Sequence, residues 1–227
     1  MEIIKPSVMI VDDIDADKLL KKLELSGRKC WQSEPKGQSE RRFVDTIIKR
    51  EHTSVLEHVN ITFDIICDRG VSHELVRHRI ASFSQESTRY VNYNNKMKFI
   101  EPITLKKQPE LYALWKSECE HSEQTYKQMI EMGAKPQEAR TVLNHSVKTE
   151  VRVTMNIRSL RNFLSLRCNK AAHPSMKEIA IPLLLYLRER IPVVLDDIKY
   201  DKEFVWEFMD SEDYNYKHIV HNINELD

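Results

Sequence analysis

Glycine is scarce in this chain: Gly27, Gly37, Gly70 and Gly133 are the only four among 227 residues. None stand close enough for a Gly-x-Gly-x-x-Gly turn or a glycine-rich phosphate loop. A dinucleotide would therefore be held without a Rossmann fingerprint, by side-chain cations and isolated backbone amides. Cysteine is sparse as well. Cys30, Cys67, Cys119 and Cys168 lie far apart and form no Cys-x-x-Cys, so reduced thiols and a cytoplasmic protein are expected. No apolar run approaches the roughly 18 residues that span a bilayer, and Met1-Glu2-Ile3-Ile4-Lys5 lacks the shape of a signal peptide, so no membrane partner is expected. Net charge is missing too, with 35 Lys and Arg against 35 Asp and Glu. That balance, and the lack of a basic-aromatic stripe, argue against nucleic acid held mainly by counterion release. The nine histidines offer no His-x-x-x-His or His-Glu-x-x-His, and His73 and His78 are five apart, off one helical face, so no metal site is expected. Repeats, low-complexity tracts and a Pro/Gly-rich linker are all absent, and the chain reads as a single domain over residues 1–227.

What the chain does have is concentrated. Arg77-His78-Arg79-Ile80-Ala81-Ser82-Phe83-Ser84-Gln85-Glu86-Ser87-Thr88-Arg89 is its richest window of fixed cations and hydrogen-bonding groups. Arginine carries a planar fork of donors suited to phosphate and carboxylate oxygens. Glutamine, glutamate and serine can read the edge of a heterocycle. The window suits a phosphorylated ring compound, although a basic cluster at a helix end can also simply answer the helix dipole.

Periodicity predicts a strand over Glu2–Val11, a helix over Asp15–Ser26 capped by Asp15, and a helix over Ser39–Arg50 capped by Ser39 with Phe43, Ile47 and Ile48 on its apolar face. Strands are predicted at Val59–Ile65 and Val147–Ile157, both alternating. A short helix over Val71–Arg79 follows a break at Gly70 and holds Arg77, His78 and Arg79 in its last turn. Tyr90–Ile100 reads as extended. Pro109–Met132 is the clearest helix, with Leu111, Leu114, Trp115, Tyr126, Met129 and Ile130 at helical spacing and Gly133 as its stop. Pro136 opens a helix through Asn144, Ser159 caps one to about Arg167, and Ser175–Arg190 is a last helix with Pro182 as a kink. Trp31 and Tyr90 read as core residues. Alternating strands interleaved with helices predict an α/β fold of the α+β type, a central, mostly antiparallel sheet with packed helical layers.

Arg77-His78-Arg79 with Ser82, Ser87, Arg89 and Tyr90 at their spacing resembles the signature of the flavin-dependent thymidylate synthases. His52-Thr53-Ser54-Val55-Leu56-Glu57-His58 is similar to that family's upstream segment. Asn156-Ile157-Arg158-Ser159-Leu160 through Asn162, Phe163 and Arg167 is similar to its downstream one. The resemblance implies the same fold, a homotetramer with sites shared between subunits, and one reaction. That reaction is reductive methylation of dUMP to dTMP, with 5,10-methylenetetrahydrofolate as carbon donor, FAD as hydride carrier and NADPH as reductant, releasing tetrahydrofolate. It nominates Arg167 as the cation that polarises the uracil ring. For dUMP it nominates Glu74, Leu75, Val76, Arg77, Gln85, Glu86, Ser87, Thr88, Arg89, Arg140 and Arg167. For FAD it nominates Ser54, Arg77, His78, Arg79, Gln85, Asn156, Ile157, Arg158 and Asn162. Ser87 reads as a substrate ligand, since a nucleophilic serine needs an adjacent base. One departure follows Arg167: where the family shows Gln-Trp-Glu-Ile, this chain has Ala171-Ala172-His173-Pro174-Ser175-Met176-Lys177-Glu178-Ile179.

The alternative is a cysteine-dependent nucleotide-modifying enzyme. Cys168 is its candidate nucleophile, because the neighbouring Arg167 guanidinium would lower the thiol's pKa.

Overall fold

The computed structural model describes residues 1–94, 97–209 and 219–225. Its first strand is not one but two. β1 (Glu2–Ile4) and β2 (Ser7–Ile10) are separated at Lys5-Pro6, where proline has no N–H to give to a ladder. β3 is Asn60–Asp68, β4 Ala81–Gln85, β5 Lys98–Ile100, β6 Lys148–Asn156 and β7 Val220–Asn222. β1 and β5 form a two-stranded parallel sheet, Glu2 opposite Lys98. The other five run in the order β4-β6-β3-β2-β7.

The sheet's centre is antiparallel, as the alternating strands predict. The Ile157 N–H reaches the Val59 carbonyl at one end of the β3–β6 pair, the Arg69 N–H reaches the His145 carbonyl at the other, and the Thr62 and Thr154 hydroxyls meet at 3.1 Å between them. One number rises as its partner falls. β7 departs from that pattern: it lies parallel to β2, Val8 opposite Val220. Both long strands bury alternate residues, Ile61, Phe63, Ile65 and Cys67 on β3 and Thr149, Val151, Val153 and Met155 on β6.

Seven helices matter for the site: α1 (Ala16–Arg28), α2 (Glu40–Lys49), α3 (Arg69–Leu75), α4 (Pro109–Glu131), α5 (Pro136–Ala139), α6 (Ile157–Arg167) and α7 (Pro174–Arg190). Asp15 caps α1 as expected, its carboxylate accepting the Lys18 N–H at 3.0 Å. Ser39 stands at the N-cap of α2 as expected but makes no side-chain cap bond; its hydroxyl donates instead to the buried Glu24 carboxylate at 2.5 Å. α2 buries Val44 with Ile47. α7 continues through Pro182, and from Met176 to Leu184 every residue is buried, the mark of a helix enclosed on all sides.

By their internal packing the residues form two compact units. The first is Met1–Ser7, Ile65–Arg77 and Phe83–Arg152; the second is Val8–Asp64, His78–Ser82 and Val153–Asp227. In the first, α4 lays Cys119 and Tyr126 onto Tyr93, Met97, Phe99, Ala139 and Val147, with Trp115, Met129 and Ile130 alongside. Leu111 and Leu114, expected on that apolar face, are 46% and 69% exposed; the packed face runs through Trp115, Cys119 and Tyr126. In the second, α1 packs on α2, and α6 packs on α7 and on the 3-10 turn Thr53–His58. Gly27 is where α2 comes close: a Cβ there would stand 2.7 Å from the Phe43 ring.

Candidate functional site

In the first unit the chain leaves β3 straight into α3. Asp68 accepts the Val71 N–H at 2.7 Å, so the helix begins before Gly70 rather than after it. It also ends sooner than predicted. Leu75 is the last helical residue and Val76 the C-cap, so Arg77, His78 and Arg79 lie on the exit from the helix and not in its last turn. Leu75 is wholly buried, Glu74 and Val76 partly so, and the Arg77 side chain is exposed.

No sequence pattern marks β4; its sequence, Ala-Ser-Phe-Ser-Gln, is weakly apolar and only half-covered. It carries Gln85 and Glu86 to one end of the sheet. The Gln85 amide donates to the Ser72 hydroxyl at 3.0 Å and the Thr149 hydroxyl at 3.1 Å. Arg69 also donates to Thr149, at 3.1 Å. The Glu86 carboxylate takes the Tyr93 hydroxyl at 2.5 Å on one oxygen and the Lys148 ammonium at 2.7 Å on the other. Burial and the bond to Glu86 push Tyr93 up. Burial works to lower Lys148, but Glu86 and Glu150 outweigh it and raise it. Gln85 and Glu86 thus brace the segment that follows.

That segment is compact. The Ser87 carbonyl accepts the N–H groups of Tyr90 and Val91 at 3.2 and 3.0 Å, and Thr88 is buried. Arg140 donates to the Thr88 hydroxyl at 3.3 Å, across 52 residues of sequence, so two of the expected uridylate residues meet. Arg140 reaches it because α5 stops at Ala139 and tightens into a 3-10 turn, Arg140–Val142, rather than continuing to Asn144. Arg89 is exposed, its guanidinium 5.4 Å from the Tyr90 ring centroid. Tyr90 itself is 78% exposed and Trp31 52%, so neither is a core residue; both project from turns at the edges of their elements.

In the second unit the cap of α6 is Asn156, not Ser159. Its amide oxygen accepts the Ser159 N–H at 2.8 Å, the i to i+3 geometry that an extended residue before a helix provides. The Ser159 hydroxyl is left to accept the Ile80 N–H at 3.1 Å. Ile157 is wholly buried and its N–H is given to Val59. Arg158 pairs with Glu57 at 2.6 Å, and Ser54, Arg158, Asn162 and Arg79 are exposed. Arg79 also donates to the His78 carbonyl at 2.8 Å.

Arg167 is the last residue of α6. Its Nε–H donates to Nε2 of the buried His78 at 2.8 Å. The His78 ring stands edge-on to Phe163, 4.9 Å between centroids. Burial and the Arg167 charge lower the imidazole to about 4, so it is neutral at neutral pH. Neither sequence pattern nor spacing signals this pair, whose members are 89 residues apart.

Cys168 is fully buried, and burial pushes its thiol up to about 12; the cation that opposes this is Arg188 and not Arg167. That does not favour the cysteine-nucleophile alternative, since the thiolate is what attacks. The divergent segment after Arg167 is a turn followed by a cap: His173 Nδ1 accepts the Ser175 N–H at 3.3 Å and opens α7.

The model of one protein family, Thy1, described as thymidylate synthase complementing protein, matches residues 13–193. A flavin-dependent thymidylate synthase of Mycobacterium avium (strain 104) is 32% identical over 214 residues, which cover 86% of this chain and 84% of the relative. One of Thermococcus onnurineus (strain NA1) is 41% identical over 137 residues, 59% of this chain and 56% of that protein. The chain spans 56% to 66% of the length of this and four further Thermococcus and Pyrococcus relatives. Among solved structures, a UMP/dUMP methylase, PolB, of Streptomyces cacaoi bound with 5-Br dUMP superposes with a TM-score of 0.75 at 22% identity, over 92% of this chain and 98% of that one. A likeness at that identity speaks for the fold.

Proposed function

This chain belongs to the Thy1 family, that of the flavin-dependent thymidylate synthases, and on that premise we propose that it converts dUMP to dTMP. The single observation that carries the reading is the unbroken signature from Arg77 to Tyr90, inside a family match running from residue 13 to 193. The carbon donor is 5,10-methylenetetrahydrofolate and the reductant NADPH. The protein works as a cytoplasmic homotetramer with sites shared between subunits.

The donor set suits FAD. Arg79 and Arg158 offer exposed guanidinium groups for a pyrophosphate, Ser54 and Asn162 exposed hydroxyl and amide groups for ring and ribose edges. The Asn156 cap uses the amide oxygen and leaves its NH2. This is phosphate recognition by side chains, which a chain without glycine loops requires. When bound, the flavin supplies the hydride that completes the methyl group.

The residues of this chain then bind, orient and polarise. Arg89 and Ser87 hold the dUMP phosphate, with Glu74 in the last turn of α3 and Arg77 on its exit close in sequence. Each charge-assisted contact contributes about 1.5–3 kcal/mol. Arg140, seated by Thr88, binds the nucleotide. Gln85 and Glu86 keep the Ser87–Arg89 backbone in place. Arg167 stabilises the negative charge that grows on the uracil ring as C5 becomes nucleophilic, the role of a fixed cation in a site poor in water. No thiol adds to the ring.

Purified protein is expected to be yellow, and NADPH with dUMP should bleach that colour. Arg167→Ala should lose dTMP formation by at least about a hundredfold while its flavin absorbance persists. Normal turnover by that variant would remove Arg167 from the mechanism.

A further inference from the structure

We propose that His78 is a positioning residue for Arg167: a neutral imidazole that fixes the plane of the guanidinium by accepting its Nε–H. The inference rests on Arg167 being the ring-polarising cation. A guanidinium is flat, with its N–H groups in one plane. Holding the Nε–H in a bond of 2.8 Å therefore sets the direction of the terminal nitrogens, through which any grip on a uracil oxygen must pass.

Three residues of α6 make the arrangement rigid. Ser159, Phe163 and Arg167 are spaced four apart, so they share one stripe of the helix. All three touch the short segment at His78. The Ser159 hydroxyl accepts the Ile80 N–H at 3.1 Å, Phe163 stands edge-on to the His78 ring at 4.9 Å, and Arg167 donates to that ring. A second tie, from Arg79 to the His78 carbonyl at 2.8 Å, fixes the backbone at the histidine.

The chemical type of the acceptor matters as much as its position. A carboxylate in the place of His78 would orient the guanidinium equally well but would cancel part of the charge that the uracil anion needs. An imidazole orients without cancelling. Burial and the Arg167 charge keep it unprotonated, and with Nε2 accepting, its proton resides on Nδ1.

The experiment compares His78→Gln, His78→Glu and His78→Leu, measuring kcat, KM for dUMP and flavin content. Gln offers a neutral oxygen acceptor, Glu a charged one, Leu none. His78→Leu is expected to lower kcat roughly 10- to 100-fold, the scale of a misplaced catalytic group, with KM for dUMP shifted far less. His78→Gln should recover most of that loss and His78→Glu should not. In an Arg167→Lys background, which has no Nε–H at that place, His78→Leu should add little. Wild-type kcat in His78→Leu, or equal losses in the Gln and Leu variants, would overturn the proposal.

Should the Leu variant not fold, 15N spectra of the wild-type imidazoles at neutral pH decide. A proton on Nδ1 of His78 supports the pairing, and a proton on Nε2 sinks it. If the wild-type protein forms no dTMP, the proposed function falls, while the tautomer still reports whether the pair exists.

Discussion

At the scale of single residues, the thiols separate two chemistries. Cys67, Cys119 and Cys168 are fully buried and Cys30 is exposed. Burial raises all three buried thiols, Cys119 to about 11 and Cys168 to about 12. A thiol reagent at pH 8 is therefore expected to label one cysteine quickly in the native protein and the other three only on unfolding. A second rapid reaction would show Cys168 to be accessible and reopen the covalent route. Cys168→Ala should retain turnover and lose about 1–2 kcal/mol of stability through the small void it leaves, read as a lower urea midpoint.

At the scale of elements, the ends carry more information than the middles. Hydrophobic spacing located α1, α4, α6, β3 and β6, because each buries one face and the spacing records it. Their ends depended on local competition that spacing does not record. Ser159 and Asn156 are both good caps by residue type, yet Asn156 wins because it sits in extended backbone three residues before the N–H it accepts, leaving Ser159 to hold Ile80. Asn156→Ala should cost about 1 kcal/mol and Asn156→Asp almost none, measured by thermal unfolding; equal losses would mean that the cap is not what Asn156 supplies. α3 shows the same competition: Asp68 starts it early, and the chain turns off at Val76, so Arg77, His78 and Arg79 lie beyond the helix.

At the scale of the whole molecule, balanced charge conceals a few costly burials. Lys177 and Asp201 pair at 2.9 Å with side chains 8% and 6% exposed. Burial pushes Asp201 up, but Lys177 and the Phe204 amide outweigh it and hold the carboxyl below its usual value. Lys177→Met leaves that carboxylate buried without its cation and should cost about 3–5 kcal/mol, seen as a large fall in melting temperature. Acid should act in two stages. His78 is depressed from about 6.5 to about 4, so the unfolded chain takes up a proton that the folded one refuses. The stability it contributes is whole above pH 6.5 and is lost as pH falls towards 4. Asp201, Asp197 and Glu123 are also lowered, and their share is lost only below the usual carboxylate range. His78→Gln is expected to flatten the first stage and leave the second; an unchanged profile between pH 6.5 and 4 would place that titration elsewhere.

Composition and spacing alone determined that this chain has no glycine cradle for a dinucleotide, that its cations gather in Arg77–Arg89, and that alternating strands with amphipathic helices build a sheet with helical layers. These are local properties, fixed by residue type and by the periods of helix and strand. The tertiary structure decided what no period encodes: that Arg140 seats on Thr88, that Glu86 is taken by Tyr93 and Lys148, that β7 joins the sheet beside β2, and that Arg167 rests on a neutral His78. Such pairs join residues far apart in sequence. Their distances are set by packing across the fold, and burial, which sequence does not display, determines which of them carry charge.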